Sequence, residues 1–217
     1  MHNTLRRLHR REPAAGTTID RFLLNELVSQ LAFGGRRGRV YRQLVSLAQV
    51  RPGNSVLDVG CSSGYLARKL AAAAGPAGHV TGIDPSAAAI GYARRRAPGG
   101  STFIMGTAQD LPLPDSSFDV VTCTLAIHHV PARKRATAFA ELYRVTRPGG
   151  HLLVADFDPA QHALPLHPGT RRMRRAAATV GPLADLATAA GYRAESSAVL
   201  PLLRYVLATR PELDATP

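Results

Sequence analysis

Val56-Leu57-Asp58-Val59-Gly60-Cys61-Ser62-Ser63-Gly64-Tyr65-Leu66 is the stretch from which the fold can be read. A short apolar run enters a turn containing Gly60 and Gly64, and a segment rich in alanine and of helical length follows. The glycines open backbone conformations closed to other residues and let a ligand come close. Asp84 ends the next apolar run, twenty residues after Gly64. A carboxylate at a second strand's tip can accept both hydroxyls of a ribose. Together these residues describe a nucleoside site at the carboxyl edge of a parallel sheet.

Outward from this stretch, apolar runs and helical segments alternate, the pattern of strand-helix units around a parallel sheet. Strands are predicted at Val56–Val59, His79–Ile83, Thr102–Met105, Asp119–Cys123 and His151–Ala155, and helices at Tyr65–Ala74, Ser86–Ala97 and Arg133–Val145. A helix at Leu183–Ala190 leads through Gly191 to two final strands, Tyr192–Ser197 and Leu202–Ala208. The expected fold is α/β, a doubly wound, mostly parallel seven-stranded sheet. Asp115-Ser116-Ser117 and Arg147-Pro148-Gly149-Gly150 read as turns. Two helical patterns precede the sheet, one through Ile19, Phe22, Leu23, Leu27 and Leu31, the other through Val40, Tyr41, Leu44 and Ala48. The expected organisation is a basic arm over 1–16, lid-forming helices over 17–52 and a ligand-binding domain over 53–210. A loop-rich stretch after Asp156, with His162 and His167, is placed to line a pocket.

The chain has 217 residues, suited to a single domain with a short appendage, and a formal charge of +12. Only Lys69 and Lys134 are lysines, and residues 1–51 carry ten arginines against Glu12, Asp20 and Glu26. Clustered basic charge can mark nucleic-acid contact, but arginine in place of lysine, with abundant Ala, Gly and Pro, reads as a compositional habit. No apolar run is long enough to span a membrane, and Met1–Arg11 is not a secretory signal. Cys61 and Cys123 are too few for a disulfide scaffold and have no metal-ligand spacing, so a cytoplasmic setting is expected and no metal. Both cysteines read as buried fillers.

A dinucleotide enzyme would show G-x-G-x-x-G; the corresponding positions here are Gly60, Ser62 and Tyr65. Asp58, two places before Gly60, would repel a phosphate but suits the ammonium of an amino acid. A ligand with both a ribose and a cationic amino-acid tail is S-adenosylmethionine.

At this point the chain resembles the class I S-adenosylmethionine-dependent methyltransferases, within them the small-molecule branch that includes the ubiquinone and menaquinone C-methyltransferases. The resemblance runs from about Phe33 to Leu207. It rests on Val56–Gly64, Thr81-Gly82-Ile83-Asp84-Pro85-Ser86, the stretch from Gly106-Thr107-Ala108-Gln109-Asp110 to Phe118-Asp119-Val120-Val121, and Arg147-Pro148-Gly149-Gly150-His151-Leu152-Leu153-Val154. It implies that Asp58, Gly60, Ser62 and Gly64 line the methionine end, that Asp84 and Pro85 lie at the ribose, and that Ala108 offers its N–H to the adenine. It also implies that Thr124 or Leu125 contacts the methionine part through the backbone. Where the family usually has a middle glycine this chain has Ser62, which the turn accommodates if its backbone angles are ordinary. Thr107 replaces the common Asp or Asn beside the adenine amino group, and Asp110 substitutes if the loop shifts.

Methyl transfer from a sulfonium chiefly needs orientation of the acceptor and exclusion of water, with a base only where the acceptor must lose a proton. His128 and His129, just after the fourth strand, are the candidates, His129 foremost as base or orienter. Asp156, ending the fifth strand, is expected to open towards the pocket and contact substrate. Asp119 reads as structural, and Tyr41 and Phe22 as lid residues. The expected function is methyl transfer to a small organic acceptor by a monomer or homodimer. An RNA-directed enzyme is the alternative the charge suggests, but the residues after the fourth strand, Thr124-Leu125-Ala126-Ile127, lack the Asn/Asp-Pro-Pro-aromatic pattern of amine methylases. A protein that binds the cofactor without transferring the methyl group is the other alternative.

Overall fold

The computed structural model describes residues 36–158, 182–200 and 203–212. The arm at 1–16, the first helical pattern with Phe22, and His162 and His167 lie outside the described residues.

The sheet is seven-stranded and mostly parallel, as expected. Its strands are β1 (Ser55–Val59), β2 (His79–Asp84), β3 (Ser101–Met105), β4 (Phe118–Thr124), β5 (Thr146–Phe157), β6 (Arg193–Leu200) and β7 (Leu203–Thr209), in the order β3-β2-β1-β4-β5-β7-β6. β1 to β5 pair in parallel, and β7 runs antiparallel to both β5 and β6. β1 lies between β2 and β4, the place where the winding reverses and the crevice at the carboxyl ends of a doubly wound sheet receives ligands.

The helices are α1 (Arg37–Leu47), α2 (Tyr65–Ala74), α3 (Ala87–Arg94), α4 (Arg135–Val145) and α5 (Leu183–Ala189). Period-two alternation sends strand residues into two cores. Val56, Val80, Val120 and Leu153 pack with Val40 and Leu44 of α1, Leu66 and Leu70 of α2 and Ile90 of α3. Leu57, Ile83, Val121 and Leu152 pack on the other face with Phe139 and Leu142 of α4 and Leu183 of α5. The buried strands are apolar on both faces because helices cover both. No helix among the described residues is long and apolar enough to cross a membrane.

Two local expectations are corrected. Arg147–Gly150, read as a turn, is built into β5: Gly149 N–H donates to the Arg210 carbonyl at 2.8 Å and Arg210 N–H to the Gly150 carbonyl at 2.9 Å. The β4–β5 register shifts between Phe118 and Val120 to absorb it, a bulge in place of a turn. The third helix is shorter than its apolar pattern, Ala87–Arg94, and is capped by Ser86, whose hydroxyl accepts from Ala89 N–H at 3.3 Å. Asp119 is structural: its Oδ2 accepts from Ser55 N–H at 2.7 Å and its Oδ1 from Arg147 Nη1 at 2.6 Å, holding the entrances of β1 and β5 against β4.

Gly82 lies where β2 passes beneath the Phe103 ring; a methyl there would stand 2.5 Å from Phe103 Cδ1 and 3.0 Å from Cys61 Sγ. Gly38, inside α1, has open space in the corresponding direction. Gly82→Ala is therefore expected to cost about 1–3 kcal/mol by overpacking, whereas Gly38→Ala gains about 0.5–1 kcal/mol from helix propensity. Urea unfolding midpoints check both, and equal effects at the two glycines would contradict this packing.

Candidate active site

Gly60, directly after β1, has φ +75°, and a Cβ on it would lie 2.4 Å from that of Ala126. The Gly60 and Cys61 amides donate to the Ile83 carbonyl at 2.8 and 2.9 Å, tying the turn to the end of β2. Ser62 has φ +48°, so its angles are not the ordinary ones that the sequence reading required. A residue with a Cβ in that conformation costs about 1–2 kcal/mol, and the Ser62 amide is held there by donating to Asp84 Oδ2 at 2.9 Å. Gly64 is misplaced by the sequence reading. It does not line the cleft; it caps α2 at φ +70°, and a methyl on it would meet the Phe103 ring at 3.0 Å and Ala93 at 3.2 Å. Its role is close packing of the helix start.

The cleft has a volume of about 580 Å³. Asp58, 1% exposed, lines its floor. Thr122 Oγ1 donates to Asp58 Oδ1 at 2.9 Å, while Oδ2 is buried with no hydrogen-bond partner at ordinary geometry. Burial raises the carboxyl's pKa from the usual 3.8 to about 7; Asp84 adds to the rise, and the Thr122 hydroxyl and the Ala67 amide oppose it. A buried acceptor facing a cleft in this state calls for a cationic donor. Asp84 accepts at Oδ1 from Ser86 N–H and at Oδ2 from Ser62 N–H, both at 2.9 Å. Burial raises its pKa, and those two amides pull it back. Cys61 and Cys123 are buried and free, and burial pushes both thiols up, Cys61 while lining the cleft.

Pro85, Gly106, Thr107, Ala108 and Gln109 form the side of the cleft next to β2 and β3. Asp110 is not in the lining. Its amide donates to the Thr107 carbonyl at 3.2 Å in an isolated bridge, so the loop turns back before Asp110 reaches the cleft. The loop is anchored from α4: Arg144 Nη1 and Nη2 donate to the carbonyls of Leu113 and Leu111 at 2.8 and 3.0 Å, and Leu111 N–H donates to Glu141 Oε2 at 2.9 Å. The Arg144 bond holds the Glu141 carboxyl below its usual range.

On the other side, Thr124, Leu125, Ala126, His128 and His129 line the cleft. Leu125 stands at φ +56°, a rare conformation for so bulky a residue, and its amide donates to the Ala155 carbonyl at 2.7 Å. A 3₁₀ turn at Ile127–His129 then presents both histidines, His128 buried and His129 exposed, with ring centroids 4.0 Å apart. Asp156 does not open into the cleft as expected. It is 0% exposed and lies behind His128, because its carboxylate is spent on hydrogen bonds within the protein.

Arg37 is a cleft residue that sequence reasoning missed. It comes from α1 and is the only arginine or lysine among the described residues lining the cleft. Its guanidinium lies 4.4 Å over the Tyr65 ring and 5.3 Å from the Tyr41 centroid, and the two tyrosines meet edge to face at 4.9 Å. The i, i+4 spacing of Arg37 and Tyr41 was its one signal, lost among the many arginines nearby. Tyr41, expected as a lid residue, both lines the cleft and joins the core. No group of three or more His, Cys, Asp or Glu residues is placed to hold a metal among the described residues.

A family described as the methyltransferase domain matches residues 56–150. The ubiquinone/menaquinone biosynthesis C-methyltransferase UbiE of Ectopseudomonas mendocina is 35% identical over 137 residues, 61% of this chain and 53% of that protein. The demethylmenaquinone methyltransferase of Symbiobacterium thermophilum is 35% identical over 133 residues, 59% of this chain and 52% of that one. The chain thus spans about half the length of these curated relatives. Among solved structures, an S-adenosylmethionine-dependent methyltransferase from Aquifex aeolicus shares the fold with a TM-score of 0.67 at 19% identity, over 78% of this chain and 89% of that one.

The Asp58 shift has a consequence for stability. Its carboxyl holds a proton in the folded protein that the unfolded chain releases above about pH 4, so this group's contribution falls as pH rises from 3.8 towards 7. Asp58→Asn is expected to flatten that part of the stability-pH curve and to be the more stable protein at pH 8 in the absence of ligand. Urea titrations across this range check it; parallel curves for the two proteins would contradict it.

Proposed function

We propose that this protein, whose residues 56–150 match a family described as a methyltransferase domain, transfers a methyl group from S-adenosylmethionine to a small organic acceptor. The observation that carries the reading is the pair of acids at neighbouring strand tips, Asp58 and Asp84, on either side of the Gly60 turn. Asp58 Oδ2, buried and lacking a partner, suits the α-ammonium of a methionine tail. Asp84 is positioned by two backbone amides and keeps lone pairs for ribose hydroxyls. Arg37 supplies the cation that the tail's carboxylate requires, steadied by the tyrosine rings beneath it. Thr107 and Ala108 flank the adenine end.

When bound, the sulfonium supplies an electrophilic methyl group and a good leaving group. The protein's work is then to orient the acceptor and keep water out. The histidines and Phe157 form the wall of the cleft that an acceptor would meet. The relatives' names point to small-molecule methylation, and the residues after β4 give no sign of nucleobase recognition. We also assign α1 as part of the cover over the cofactor, and two free cysteines fit a cytoplasmic setting.

Calorimetry with S-adenosylmethionine tests the reading. The ligand's ammonium needs the ionised form of Asp58, whose pKa is about 7 without ligand. Affinity should therefore fall about tenfold per pH unit below 7, with release of roughly one proton at pH 6. Asp58→Asn should weaken binding about 10- to 100-fold and abolish the pH dependence. A methyl-transfer assay on small acceptors completes the test. Binding without turnover would favour a non-methylating protein of this fold, and no binding would reject the assignment.

A further inference from the structure

We propose that His128, not its neighbour His129, takes the acceptor's proton, and that Asp156 is the positioning residue that fixes the His128 ring for this. The inference rests on the methyl-transfer reading above and deepens it.

Asp156 accepts three hydrogen bonds. His128 Nδ1 lies 2.7 Å from Oδ1, His128 N–H donates to Oδ2 at 2.9 Å, and Phe157 N–H donates to Oδ1 at 2.8 Å. The side chains are 3% and 0% exposed, so water does not compete for either. None of the three bonds goes to His129. A loop anchor would need only the bond to the main-chain N–H. The second oxygen, taken by the ring, does something further: it fixes how the ring is turned.

An ionised carboxylate only accepts, and this one already accepts a second proton donor at Oδ1, so the imidazole proton belongs on Nδ1. In the neutral ring this leaves the lone pair on Nε2, which has no hydrogen bond among the described residues, in a side chain that lines the cleft. The rings of Phe157, with its centroid 5.6 Å away, and of His129, at 4.0 Å, pack against the imidazole. The charged and titratable groups around the pair are His129 in the same turn, Cys123 on β4, Arg135 at the start of α4, and Arg204, opposite Asp156 on β7.

A hydroxyl proton of the acceptor passes to His128 Nε2 as the acceptor's nucleophilic atom bonds to the methyl carbon. The carbon–sulfur pair stays on sulfur as a neutral thioether, and the imidazolium rests against Asp156 until water takes its proton. A carboxylate in this place orients the ring and stabilises its cation without being protonated itself.

Long-range proton–nitrogen NMR on the protein loaded with S-adenosylhomocysteine tests the assignment. The neutral His128 ring should carry its proton on Nδ1, and Asp156→Asn, which places an amide N–H₂ against these donors, should disturb that preference while His129 keeps its own. The Nε2–H tautomer in the wild-type protein, or an unchanged His128 in Asp156→Asn, would overturn the proposal. Kinetics add a second arm, with catechol as a probe that must lose a proton and 4-nitrophenolate as one that already has. His128→Gln should slow methylation of catechol about 10²- to 10⁴-fold and that of the nitrophenolate far less. Equal slowing of both, or no turnover of either by wild-type protein that binds S-adenosylhomocysteine, would overturn it. If calorimetry shows no binding of S-adenosylhomocysteine to the wild-type protein, the methyltransferase reading itself falls.

Discussion

Asp58 is a carboxyl group buried under a glycine turn, with Thr122 on one oxygen and no partner at ordinary hydrogen-bond geometry on the other. Such a group is costly to ionise in place, and its raised pKa measures that cost. The surrounding architecture explains why it is kept. β1 must lie between β2 and β4 for the turn after Val59 to face both the Asp84 tip and the loop at Leu125. The two cores, one on each face of the sheet, hold β1 in that register. An open acceptor at the centre of a rigid sheet is an incomplete interaction that a cationic ligand would complete, and the rest of the cleft is arranged around that acceptor.

Rigidity of the frame also carries the strain. Ser62 and Leu125 both sit in left-handed backbone conformations that a residue with a side chain rarely adopts. Each is tied to a neighbouring strand by its own amide, Ser62 to the Asp84 carboxylate and Leu125 to the Ala155 carbonyl. The loop carrying Thr107 and Ala108 has no strand of its own on that side and is fixed from behind, through Arg144 and Glu141. All three sides of the cleft are thus anchored to elements that belong to the core. Among the described residues, Arg37 and Tyr41 reach it from α1, a helix outside the strand-helix repeats.

Much of this was legible in the amino-acid sequence, and the boundary follows the range of the interactions. Strand positions, the Gly60 turn and the two acids declare themselves locally, through alternation and through residues whose chemistry needs no partner to be recognised. Gly64 was legible as a necessary glycine but not as one that packs on Phe103, a residue of another strand. The turn composition of Arg147–Gly150 is overridden by hydrogen bonds to Arg210, sixty residues further on. Asp156 ends its strand just where a substrate-facing acid would, and only the 3₁₀ turn at His128 shows that the carboxylate is already engaged. Asp110 and Arg37 are the same lesson in opposite directions: a loop that folds back removes the one, and helix packing brings in the other.

The most direct measurement of the central claim is a crystal structure of the protein with S-adenosylhomocysteine. The ligand's ammonium is expected on Asp58 Oδ2, its ribose hydroxyls on Asp84 and its sulfur open towards the His128 wall. Ligand bound elsewhere, or seated in this crevice with Asp58 Oδ2 still without a partner, would contradict it.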